Sequence, residues 1–103
     1  MMTQKDLGGA NRDAAEAIAI QALAFIAADE TLLPRFLALT GIEASQIRAV
    51  ARQPGFLAGV LQFILAHEPT LLSFAAEAGI DAGVIGRMAR ALPNGDENYE
   101  RST

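Results

Sequence analysis

The chain holds one histidine, His67, followed directly by Glu68. An imidazole beside a carboxylate is the least apparatus needed for general acid–base work or for gripping a metal ion. Glu30 is the one acid that recurs in the same context, 38 positions before Glu68. Two such carboxylates would make an acid–base pair if a symmetry axis brought them together. The position matching His67 is Asp29, however, so the two contexts do not repeat one chemistry. The helix dipole accounts for a single histidine at a helix end, and Glu30 and Glu68 are explained as stabilisers of helix N-termini. Cysteine is absent, which removes disulfides and thiol-based metal or redox sites. The sequence has no glycine-rich phosphate loop, no metal-ligand spacing and no nucleophile–base pair. No catalytic residue, cofactor or metal is expected, and the chain is read as not an enzyme.

Four arginines offer a different chemistry. Arg48 and Arg52 share a helix face at i, i+4, and Arg87 and Arg90 share one at i, i+3. Together they are half of the eight basic residues. Each pair follows a Gly-Ile corner, and Ala75, Gly79 and Ile85 fit the spacing of a helix-turn-helix; Leu37, Gly41 and Ile47 fit it less well, because leucine is bulky at the first position. Recognition helices need such groups for phosphates and base edges. They also need polar base-reading side chains, and here only Ser45, Gln46 and Gln53 are on offer. The formal net charge is -4, so no long-range attraction draws a phosphate backbone. Nucleic-acid contact at Arg48, Arg52, Arg87 and Arg90 is therefore the alternative reading, and an ordinary solvated face is the leading one.

The elements that carry these residues are written twice. Sliding residues 22–52 onto 60–90, without a gap, leaves fourteen positions identical, among them Phe25/Phe63, Phe36/Phe74, Gly41/Gly79 and Ile47/Ile85. Most are apolar or glycine, so the shared content is a packing scheme. Alanine accounts for 21 residues, which makes the chain strongly helix-prone. The pattern predicts an all-α fold of six short helices, a tandem duplication of a three-helix unit with approximate twofold pseudosymmetry. Residues 1–10 read as a flexible N-terminus, 11–93 as one helical domain (repeats about 17–52 and 55–92), and 94–103 as a disordered tail. Asn11 caps a first helix over 12–28, and Thr31 caps a second over 32–40. Gly41 closes that helix through a left-handed cap, with Ile42 folding back. A third helix over 44–52 carries Ile47 and Val50 inward. The scheme repeats with Pro54 in the first turn of a helix over 55–67, then helices over 70–78 and 82–92, the last capped by Asp81.

Two stretches are apolar on every side: 17–28, where only Gln21 is polar, and 56–66, where only Gln62 is. Such helices are buried helices, and these two are expected to pack on each other at the centre, with Gly55 and Gly59 permitting close approach. Both are too short to span a bilayer. Phe25, Phe36, Phe56, Phe63 and Phe74 are assigned to the core.

The stretches ALAFIAADETLLPRFLALTGIEASQIRAVA and PGFLAGVLQFILAHEPTLLSFAAEAGID resemble the bacterial domain-of-unknown-function family numbered 3572. The resemblance covers roughly residues 14–92, and RFLALTGI over 35–42 is its most distinctive part. It implies the cytoplasm of a Gram-negative bacterium and brings no activity, ligand or site residue with it.

The functional expectation is a non-enzymatic, cytoplasmic interaction module that binds a protein partner or a second copy of itself. Leu37, Leu39, Leu57, Val60, Leu65 and Leu72 exceed what a domain of this size needs inside. An exposed apolar patch above about 400 Å² is expected to include Leu37, Leu39 or Leu57, since such patches mark interfaces.

Overall fold

The computed structural model describes residues 3–51 and 53–92. Among these residues the chain forms six α-helices and no strand. They are α1 Thr3–Ala27, α2 Leu32–Thr40, α3 Ile47–Val50, α4 Pro54–Leu65, α5 Glu68–Ala78 and α6 Ala82–Ala91, with a 3-10 turn over Ala44–Gln46 leading into α3.

Helix α4 is the centre. Pro54 starts it, where the missing N–H has no partner to lose. Leu57, Ala58, Val60, Leu61 and Ile64 are buried, and Phe56, Phe63 and Leu65 are half-buried against them. Around α4 pack α1, α5 and α6, and α6 also lies along α1. Helix α2 reaches α4 through Phe36, whose fully buried ring meets Phe63 at 5.2 Å and Phe56 at 5.9 Å, both edge-on. Tilted and edge-on contacts at such distances suit the ring quadrupole. Phe25 of α1 and Phe74 of α5 meet in the same way at 5.3 Å.

Helix α1 contributes one stripe, not a whole surface. Ala15, Ala19, Ala22 and Ile26 are fully buried, spaced four, three and four apart, while Ile20 is 57% exposed. The expectation that 17–28 is buried all round is thus corrected. Small alanines give close helix contact on one side, and their low bulk makes the other side cheap to leave wet. The expected glycine contact is also corrected. Among the described residues nothing lies within 4 Å of where a Cβ on Gly55 or Gly59 would stand.

Both Gly-Ile corners form as expected. Gly41 has φ 74° and Gly79 has φ 70°, and they are the two positive-φ positions among the described residues. They close differently, and Thr40 is the reason. At Gly79 the Ile80 N–H donates to the Ala75 carbonyl at 3.0 Å, the long bond of a Schellman cap. At Gly41 a single bond runs from its N–H to the Leu37 carbonyl at 2.9 Å. The Ile42 N–H turns instead to the Thr40 hydroxyl at 3.3 Å, which itself donates to the Phe36 carbonyl. Ala78 offers no such competitor.

Several boundaries differ from the sequence expectation. Helix α1 begins at Thr3, so Asn11 lies inside it and 3–10 is helical. The Gly8-Gly9 pair costs roughly 1 kcal/mol per residue against alanine, and the helix runs through it. Thr31 makes no side-chain cap. Asp29 does that work, its Oδ1 accepting from the Thr31 and Leu32 N–H groups at 2.8 and 2.9 Å. Helix α5 starts at Glu68 with Pro69 in its first turn. The helix expected over 44–52 is only the 3-10 turn and one α-turn, and Ile47 and Val50 are half-buried. Its counterpart α6 is ten residues long, properly capped by Asp81 accepting from the Gly83 N–H, and carries Ile85 fully buried. The tail over 94–103 lies outside the described residues.

Two outcomes are expected in urea unfolding. Gly41→Ala and Gly79→Ala should each cost about 1 kcal/mol, because the added Cβ meets strain rather than a neighbour. Ile85→Ala should cost about 2–5 kcal/mol, and Ile47→Ala clearly less, since only Ile85 is enclosed.

Candidate functional site

The two helix breaks face each other. Between Arg12–Ala27 and Leu32–Thr40 the axis turns by 114°, and between Gly55–Leu65 and Glu68–Ala78 by 109°. These turns bring Asp29 and Thr31 from one break, and His67 and Pro69 from the other, to the rim of one open hollow of about 260 Å³. Leu32, Arg35, Thr70 and Ser73 complete it with Phe25. Eight of these nine residues form four pairs 38 apart in sequence: Asp29/His67, Thr31/Pro69, Leu32/Thr70 and Arg35/Ser73. The hollow is therefore lined by the same positions of both halves but by different chemistry.

Two further hollows flank it. One, of about 430 Å³, lies between α1 and α5 and shares Phe25 and Asp29 with the central one. Its walls are largely apolar, with Ala24, Ala28, Phe74 and Ala78, and Gln21 and Glu77 add polar groups. The other, of about 120 Å³, shares Leu32, Arg35, His67 and Thr70 with the central hollow and ends at Leu39. The three hollows, linked through these shared lining residues, are together termed the groove.

His67 opens α5 in an extended conformation, and its Nδ1 lies 2.8 Å from the Thr70 hydroxyl. Thr70 is the buried polar residue of the described core, 7% exposed, and this bond satisfies it. An imidazole against a hydroxyl resembles a base and its nucleophile. Here the hydroxyl is buried, and among the described residues no carboxylate hydrogen-bonds the other ring nitrogen to orient it. The pair serves the helix start. The i, i+3 spacing of His67 and Thr70 was available in the sequence as its signal. Arg35, missed in the sequence, had no signal, because its partner position is Ser73. Glu30 and Glu68 are exposed, with Glu68 in the first turn of α5 as expected. Among the described residues no three acidic or histidine side chains gather to hold a metal ion.

The residues proposed as an interface separate. Leu39 is 72% exposed, Leu37 is half-buried against the core, and Leu57 is buried at 7%. Leu57 is removed as an interface residue, because α4 faces the core along most of its circumference. Val60 is likewise fully buried, while Leu72 is 53% exposed. Of the arginines, Arg48 is exposed on α3 and Arg87 and Arg90 are exposed on α6; Arg52 lies outside the described residues. The Arg87 guanidinium lies back along its own helix, 3.9 Å from where a Cβ on Gly83 would stand. Ala75 and Ile85 are buried, and Leu37 and Ile47 half-buried, at the two Gly-Ile corners.

Residues 12–95 match the family described as "Protein of unknown function (DUF3572)". The match spans most of the chain, and the chain belongs to that family. No curated protein matches the sequence, and no solved structure matches the fold. Among the described residues no single helix is long and apolar enough to cross a membrane.

The capping role of Asp29 is open to test. Asp29→Ala should lower stability by about 1 kcal/mol and Thr31→Ala by less than half of that, read from thermal unfolding midpoints.

Proposed function

We propose that this chain is a non-enzymatic interaction module of the cytoplasm, built by tandem duplication of a helix–corner–helix unit, with the groove across the two helix breaks as its binding face. The single observation that carries the reading is the groove itself. Three neighbouring hollows share lining residues, and one of them includes Leu39, a leucine 72% exposed. Concave surfaces that combine an apolar wall, here the α1–α5 hollow, with convergent polar groups, here those of the central hollow, are the usual form of a binding site. An exposed leucine beside it fits the anchors that partner proteins cover.

The duplication is supported by paired geometry. Phe25 meets Phe74 at 5.3 Å, and the corresponding pair Phe63 and Phe36 meets at 5.2 Å. The bends of 114° and 109° correspond, as do the two left-handed glycines. These correspondences are what an approximate twofold relation between the halves predicts. The third helices depart from it: α6 packs on α1 and α4, while α3 makes no comparable contact. The helix-turn-helix alternative has less behind it. Arg48 and Arg87 sit on those two unlike helices, and the chain is acidic overall.

Ala24→Arg tests the reading. Ala24 is exposed on α1 and walls the larger hollow, so arginine fills the groove without entering the core. Immobilised wild-type protein should retain specific proteins from a native lysate, endogenous copies included, and Ala24→Arg should lose them at an unchanged melting temperature. Identical retention by both would overturn the groove as the binding face.

A further inference from the structure

The two ends of the groove are opposites. At the α1–α5 end there is an open hollow of about 430 Å³ walled by Ala24, Phe25, Ala28 and Phe74, with Asp29 and Glu77 also lining it; Asp29 is shared with the central hollow, so Glu77 is the acid peculiar to this end. At the other end the hollow is only about 120 Å³. Leu39 stands out of it, 72% exposed, with Arg35 one helical turn away and His67 opposite. Residue 39 and residue 77 are 38 apart, so the leucine and the glutamate occupy corresponding places on the two sides of the central hollow. One end is a hollow with an acid of its own, and the other is a knob with a basic flank.

A half-turn about a line across the groove, lying in the plane of the face, exchanges these ends. That is the operation an isologous dimer applies. We infer that the groove docks onto the same groove of a second copy of this chain. Leu39 of each copy enters the α1–α5 hole of the other. Arg35 of each copy comes against Glu77 and Asp29 of the other. The operation makes every contact twice, and charge complementarity fixes which end meets which. A docking of like ends would set acid on acid and leave both leucines without a hole. The inference rests on the groove being the binding face and adds the identity of its occupant.

Sedimentation of the full chain tests it. The wild type should dimerise. Arg35→Glu and Glu77→Arg should each weaken the dimer at least about tenfold, because each sets like charges together twice. A mixture of the two variants should recover a one-to-one heterodimer, since both cross-pairs are then opposite in sign. Leu39→Ala should weaken the dimer while leaving the melting temperature of the dilute, monomeric chain unchanged, because Leu39 is exposed in the single chain. A wild type that stays monomeric up to about 1 mM, charge variants that dimerise like the wild type, or a mixture no tighter than its components would overturn the inference. If the wild type is monomeric but still retains other proteins in an Ala24→Arg-sensitive way, self-docking fails while the groove stands. If retention is also insensitive to Ala24→Arg, both fail.

Discussion

Between Pro54 and Leu65 the chain offers water a single polar side chain, Gln62. Every other side of α4 has to be covered, and burial of its large apolar side chains is worth roughly 1.5–3 kcal/mol each. No single neighbour can cover a cylinder. Helices α1, α5 and α6 pack on it, and Phe36 supplies cover from α2. The sharp breaks after α1 and α4 follow from this demand, because short helices enclose a central rod only by turning across it. The groove is a by-product of the same geometry. Where the helices turn at corresponding places beside one rod, their breaks border one hollow, and Asp29 and His67 line it together.

Much of the helical plan was legible because it is written in residue types with strong local meaning. Pro54 at a helix start, the Gly-Ile corners and the Asp81 cap each act within a few residues. What was not legible depended on competition between neighbours or on partners far away in sequence. A Thr31 cap would take the N–H of residue 33 or 34, but the Leu33 N–H already donates to the Asp29 carbonyl and Pro34 has none, so Asp29 Oδ1 holds the helix start through Thr31 and Leu32 instead. Residues 1–10 read as a flexible N-terminus, yet α1 begins at Thr3 and runs through Gly8-Gly9. The third helices read alike, but Ile85 is enclosed and Ile47 is not, and nothing in either stretch says which neighbour will be present.

The site was less legible than the fold, for a related reason. Comparing the halves draws attention to residues that match, and the matching residues are the core. Arg35 and Ser73, Leu39 and Glu77, and Asp29 and His67 are mismatches at matched positions. The matched positions are mostly apolar and packing ones, and the polar positions around the central hollow are those at which the two stretches differ.

The contact of α6 with α1 joins nearly the two ends of the described chain. During synthesis the first half emerges with its alanine stripe turned toward a neighbour that does not yet exist. Until α6 leaves the ribosome, α1 lacks the helix it packs against most extensively. A stripe of alanine rather than leucine keeps that interval safe, since each methyl exposes little apolar area to stick to other chains. The small side chains that permit close packing in the finished protein are also what make the unfinished one tolerable in water.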